Sequence, residues 1–188
     1  MRNAQFPYPS FVCDTGGTNV RVAVAAGAGA LPGEVVHLRT GDYPGLGEAL
    51  EAAAAKLGVR PRSVIACGAG PVQGRGLKLT NAPWLIDGPK VAEALGLSQG
   101  LLLNDFEAQA LSLPTVPEQW AMPIGPGRFG NEGPQVILGP GTGLGVGALV
   151  RAAGRFTPLA SEVCHTDFGP VNDEETKIWP HLERVLGR

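Results

Sequence analysis

The sequence predicts an α/β protein of two lobes, and three observations predict it. Residues 11–24 are two apolar runs hinged on a polar, glycine-rich turn. Residues 135–150 repeat that arrangement. Between them strand-like and helix-like patterns alternate, as in layered α/β folds. The Pro- and Gly-rich stretch 115–134 then reads as a linker. A small lobe is expected over 1–114, and residues 135–188 are expected to begin a larger one.

The opening stretch is FVCDTGGTNVRVAV. Alternating and β-branched residues on both sides of the turn predict two antiparallel strands. Gly16 and Gly17 reach backbone angles that strain other residues. They also bring no side chains, so a phosphate oxygen can approach the backbone N–H groups. Thr15, Thr18 and Asn19 add hydroxyl and amide donors. Asp14 ends the first strand, where its carboxylate can hold a magnesium ion through water. Taken alone, the stretch reads equally well as a tight hairpin whose polar residues satisfy the turn backbone.

The remaining elements follow in order. A small-residue turn at 27–33 leads to a strand at 34–39, with His37 on its surface side. Leu46, Leu50, Ala53, Ala54 and Leu57 form a helical stripe within 42–57, which Gly58 stops. Residues 63–68 predict a buried strand, and 77–80 a short one. Residues 81–84 (NAPW) form a turn in which Trp84 reads as core or cleft wall. Asp87 caps a helix over 89–95 that Gly96 ends. Residues 100–105 form an apolar strand that closes on Asn104 and Asp105, and ligands gather at the carboxyl ends of strands in open α/β sheets. A helix starts at Asp105 and ends by Pro114; judged alone, Asp105 reads as its cap. In the second lobe come a strand at 135–138, the turn GPGTGLG, a strand at 146–150 and an apolar run at 156–160. A helical stretch spans 173–186, with Pro180 opening a new segment.

Composition bounds the function. The 188 residues are 44% hydrophobic and 17% charged, the profile of a soluble globular chain with enough length to bury a core. The net charge of −2 and the lack of a basic block argue against nucleic acid or anionic membrane as the main partner. No apolar run reaches spanning length and no signal-type core follows the first residues, so the expected location is the cytoplasm. Cys13, Cys67 and Cys164 read as small buried thiols in a reducing compartment. Cys164-His165 has no second Cys/His pair at ligand spacing, so zinc is not expected.

Two bare turns in two lobes can line the two sides of a bound polyphosphate. The succession DTGGTN, LTNAPW, LLLNDFEAQA, GPGTGLG and SEVCHTDF resembles the bacterial glucokinase family, within the sugar kinase, Hsp70 and actin superfamily, from about Phe11 to the last residue. The resemblance implies a ribonuclease H-like lobe with a mixed sheet, as in actin-like ATPases, followed by the start of a second α/β lobe. It implies ATP and Mg2+ as cofactors, and glucose as the substrate phosphorylated at its 6-hydroxyl. Phosphate contacts fall on Asp14, Thr15, Gly16, Gly17, Thr18 and Asn19, and on Gly141, Thr142 and Gly143; Asp14 also supports the magnesium. Asn104, Asp105, Glu162 and His165 bind the sugar, with Asp105 as catalytic base. These residue types suit the chemistry. A carboxylate accepts hydrogen bonds from two neighbouring hydroxyls, and phosphoryl transfer asks mainly for alignment and charge neutralisation. An ordinary Asp, with a pKa of about 3.9, is a weak base at neutral pH, so Asp105 would orient the hydroxyl and take its proton late. His165 would serve as a hydrogen-bond partner. Apart from the resemblance, Glu162 and His165 read as a surface pair.

The sequence departs from the family pattern in two places. Val163 and Cys164 stand where the family has two glycines, which leaves the hexose open to fructose or mannose. The family also continues past this length with a further sugar-binding glutamate, an adenosine-contacting loop and a final helix. A shortened second lobe is therefore expected to leave apolar faces uncovered, to self-associate as a homodimer or larger, and to turn over weakly or not at all. A non-catalytic sugar or nucleotide sensor of the same fold is the alternative from another class. An Hsp70-like or actin-like switch is disfavoured, because Asn104-Asp105 and Glu162/His165 suit a polyol.

Overall fold

A computed structural model describes residues 6–79, 81–126, 133–140, 144–161, 163 and 169–182. The elements run β1 (Ser10–Thr15), β2 (Asn19–Ala25), β3 (Val36–Arg39), α1 (Leu46–Leu57), β4 (Ser63–Gly68), β5 (Val72–Gln73), β6 (Gly76–Lys78), β7 (Leu85–Asp87), α2 (Gly88–Ala94), β8 (Gln99–Asn104), α3 (Asp105–Ser112), β9 (Gln135–Pro140), β10 (Leu144–Ala152), β11 (Arg155–Ser161) and α4 (Asp173–Ile178).

The opening hairpin forms as its alternation predicts, with β1 and β2 antiparallel and Thr15 opposite Val20. It belongs to a mixed five-stranded sheet in the order β3-β2-β1-β4-β8. The β1–β4 and β4–β8 pairs are parallel, which requires crossover connections. α1 supplies the first crossover and buries Leu46, Ala49, Leu50 and Ala53 in the core with Phe11, Val20, Val22 and Val64. The helix starts at Leu46 rather than Asp42, because Tyr43 precedes a proline and is held extended. Gly58 closes it at φ 63°.

The second crossover contains a small antiparallel sheet, β5-β6-β7, and α2. Asp87 caps α2 as expected, accepting from the Lys90 N–H at 3.0 Å. β5 and β7 are missing from the sequence-based expectation, since strands of two or three residues show no periodicity. Trp84 is 3% exposed and belongs to the core. His37 is exposed on its strand.

β9, β10 and β11 form a separate antiparallel sheet. One face packs on α3, so that helix lies between β8 and the second sheet. The other face carries Val136, Leu138, Leu144 and Leu159, all exposed. Apolar surface is thus left uncovered, as expected. Near the end α4 stops at Ile178 and Pro180 opens a separate 3-10 turn over Trp179–His181, the new segment expected there; residues 183–186 of the expected helical stretch lie outside the described residues.

Candidate active site

The register of the parallel strands builds the site. Thr15 pairs with Gly68, and Gly68 with Asn104, so the carboxyl ends of β1, β4 and β8 form one row. With strands about 4.8 Å apart, the ends of β1 and β8 are separated by about 10 Å. Asp14 stands one residue before this row and Asp105 one residue after it. Burial pushes the Asp105 carboxyl above its ordinary value, and the negative charge of Asp14 adds to the rise. Hydrogen bonds from the N–H groups of Phe106 and Asp105, and from Asn104, pull it part of the way back.

The first turn is pinned from both ends. The Gly16 N–H donates to Asn19 O at 2.9 Å, and the Thr40 N–H to Thr18 O at 3.0 Å. The buried Thr40 hydroxyl donates to Gly16 O at 2.7 Å. Thr18 and Asn19 remain exposed at the mouth. Thr15 differs from its neighbours: it is 1% exposed and its hydroxyl donates to Cys67 O, so this side chain serves the sheet and faces away from the opening. Gly17 presses on Asn81, where an added Cβ would lie 2.5 Å from the Asn81 Cβ. Gly17→Ala should therefore push the turn and the 81–84 segment apart. Because a displacement of about 1 Å can cost up to about a hundredfold, a phosphate ligand of the kind expected at this turn, probed with Mg·ATP, should bind about tenfold or more weaker in the variant, and the melting temperature should fall too, since the added Cβ meets Asn81 next to its backbone. Calorimetric titration beside a thermal melt checks this.

Asn104, not Asp105, caps α3. Its Oδ1 accepts from the N–H groups of Phe106 at 2.8 Å and Glu107 at 3.3 Å, and the Glu107 carboxylate accepts from the Asn104 N–H at 2.9 Å. Its Nδ2 donates to Gly70 O at 2.9 Å, which leaves one amide hydrogen for a ligand. Asp105 is the first helical residue, and its Oδ1 accepts from the Phe106 N–H at 3.0 Å. Asp14 forms an ion pair with Arg21, its cross-strand partner, at 2.6 Å; both side chains are about half exposed. Cys67 lies between the carboxylates. Burial first, then the charges of Asp14 and Asp105, push its thiol up to about 12. Burial first, then the neighbouring Cys67 and the charge of Asp14, raise Cys13 as well, so both are inert thiols rather than nucleophiles.

Gly141, Thr142, Gly143, Glu162, Cys164 and His165 lie outside the described residues. The strands flanking the first three of these do reach the site, because Gly139 and Gly145 abut the ring of Phe106, next to Asp105. Thr40, Asn81 and Phe106 are the residues that sequence reasoning did not single out. Their roles rest on contacts between distant segments, which no local pattern records. A concavity of about 450 Å³ beside Pro89, Leu97 and Gln99 lies at the opposite end of β8 and takes no part in the site.

Comparison with known proteins identifies the relatives of this chain. The glucokinase family profile matches residues 11–188. A glucokinase of Sinorhizobium medicae is 41% identical over 184 residues, covering 97% of this chain and 54% of that protein. The crystal structure of a glucokinase from an Antarctic psychrotroph superposes with a TM-score of 0.81 at 27% identity, over 91% of this chain and 55% of that one. A Balamuthia mandrillaris glucokinase solved in complex with glucose shares the fold at a TM-score of 0.67 and 21% identity, over 96% of this chain and 55% of its own. The chain thus spans about half the length of the curated relatives it matches. With the profile covering all but the first ten residues, the chain belongs to the glucokinase family.

Proposed function

We propose that this chain carries the first half of a glucose kinase site, for transfer of the ATP γ-phosphoryl group to the glucose 6-hydroxyl, giving glucose 6-phosphate and ADP. The observation that carries the proposal is the row Thr15–Gly68–Asn104, which sets Asp14 and Asp105 at one sheet edge beside the bare Gly16-Gly17 turn. Gly16, Gly17, Thr18 and Asn19 take the phosphates on one side, and Gly141, Thr142 and Gly143 take them on the other. Thr15 contributes from the sheet beneath. Asp105, Glu162, His165 and the remaining amide hydrogen of Asn104 hold the sugar. Asp105 orients the hydroxyl and accepts its proton, and its raised pKa makes it a better base than a surface Asp. Mg2+, when bound with ATP, neutralises phosphate charge. Such an ion usually takes one or two carboxylates plus waters and phosphates, a donor set that Asp14 fits through water.

The site is read as cytoplasmic, in keeping with the free thiols of Cys13 and Cys67, and no helix among the described residues is long and apolar enough to cross a membrane. The exposed Val136, Leu138, Leu144 and Leu159 support self-association, and a monodisperse monomer by light scattering would remove that part. Calorimetry with glucose and with Mg·ATP tests the binding, and a coupled assay over a hexose panel tests transfer and hexose choice. Glucose bound without transfer, at any ATP concentration, would favour a sensor. Binding of neither ligand would end the proposal.

Turnover should also depend on pH in a set direction. Only ionised Asp105 accepts a proton, and its pKa is raised, so kcat/KM should fall on acidification through a value above the ordinary 3.8. An acid limb at or below that value would contradict the role assigned to Asp105.

A further inference from the structure

Gly139 and Gly145 face each other directly across the β9–β10 ladder. Two missing side chains at paired positions leave a slot on that face of the sheet, and the ring of Phe106 fills it. A Cβ at Gly139 would lie 2.6 Å from the ring Cζ, and a Cβ at Gly145 would overlap Cε2 and Cζ outright. Gly147 continues the slot, since a Cβ there would lie 2.5 Å from the Phe106 carbonyl oxygen. The second sheet therefore grips this residue by ring and by backbone. The same residue is bonded to the site: its N–H donates to Asn104 Oδ1 at 2.8 Å and to Asp105 Oδ1 at 3.0 Å.

We infer that Phe106 is a positioning residue, through which β9 and β10 fix where the Asp105 carboxylate stands at the sheet edge. The inference rests on the sugar-binding role proposed for Asp105. It also gives the glycines of GPGTGLG two separate causes. Gly139 and Gly145 make room for a ring, whereas Gly141 and Gly143 are the ones expected at phosphate. A side chain at Gly145 must displace the ring, which shifts the backbone bonded to Asp105, or push the strand away, which loosens its hold on Phe106. A leucine at position 106 lacks the Cε2 and Cζ atoms that an alanine methyl at 145 would overlap outright, and its remaining Cδ atom, which would lie 2.5 Å from that methyl if placed as in the ring, can turn away about a freely rotating bond, so the two substitutions should compensate each other.

The test titrates glucose into the unmodified 188-residue chain, Gly145→Ala, Phe106→Leu and the double variant, with a thermal melt of each. Gly145→Ala should weaken glucose binding by about tenfold, the scale expected of a misplacement below 1 Å. The double variant should recover to within about threefold of the unmodified chain, a coupling that independent sites do not show. If Gly145→Ala retains glucose affinity within about twofold while its melting temperature falls, Phe106 merely packs and the inference is overturned. Losses that add in the double variant overturn it too. Should Gly145→Ala fail to fold, Phe106→Leu answers alone, because its half-filled slot should weaken glucose binding by about threefold or more and unchanged affinity refutes the role. An unmodified chain that binds no glucose removes the kinase reading and this role together; one that binds glucose, with unresponsive variants, removes only the role.

Discussion

On the role proposed for Asp105, its replacement by asparagine should lower whatever glucose phosphorylation this chain supports by about two to four orders of magnitude, the usual contribution of a positioned general base. Glucose affinity should fall as well, by about tenfold to a hundredfold, since a hydrogen bond to a charged acceptor is worth about 1.5–3 kcal/mol. The fold should not suffer. An asparagine oxygen can still accept the Phe106 N–H that Asp105 Oδ1 accepts now, and the cap of α3 is Asn104. Stability should in fact hold or rise at neutral pH. A carboxyl whose folded pKa lies above its unfolded one binds its proton more tightly in the folded state. The ionised form therefore costs stability above that raised value. The cost shrinks as pH falls through it and is gone below the ordinary 3.8, so the melting curves of parent and variant should converge in acid. Coupled-assay rates, calorimetry and melts against pH check all three statements. Turnover within about threefold of the parent would show that another group takes the proton.

How much of this was legible beforehand depends on the range of the interaction. The opening hairpin was legible because Phe11, Cys13 and Val22 alternate with outward residues, and the turn between the strands is bare. The C-terminal end of α1 and the two ends of α2 were legible from Gly58, Asp87 and Gly96. Two further facts lay in the sequence unused. Thr15 has the strand parity of Phe11 and Cys13, which already places its side chain inside. Asn104 stands three residues before Glu107, the spacing of a reciprocal cap, which already separates the capping residue from the acid beside it. The rest was out of reach. The row Thr15–Gly68–Asn104 joins segments 53 and 36 residues apart, and register at that distance is set by packing rather than by local preference. The glycines of GPGTGLG could not be divided between a ligand and Phe106 until the partner ring was seen.

Trp84→Ala is the substitution expected to cost most in stability, about 3–5 kcal/mol for a buried aromatic truncated to a methyl. Single domains hold only about 5–15 kcal/mol in all, so the urea midpoint should fall steeply. Three contacts make the site unforgiving. The side chain is 3% exposed within the cluster that includes Leu77, Leu79 and Ile86. Its Nε1–H donates to Tyr43 O at 3.1 Å, tying this segment to the residues that lead into α1. Its own carbonyl accepts from the Leu79 N–H at 3.1 Å, closing the loop that carries Asn81 to Gly17. The damage should therefore reach the site, with Mg·ATP binding lost before global unfolding as urea rises. Trp84→Phe separates the two effects. It keeps most of the apolar body but strands the Tyr43 carbonyl, at a cost of about 1–3 kcal/mol. If Trp84→Ala keeps its midpoint within about 1 kcal/mol of the parent, or binds Mg·ATP normally up to its unfolding transition, then Trp84 does not anchor the segment that meets the phosphate turn.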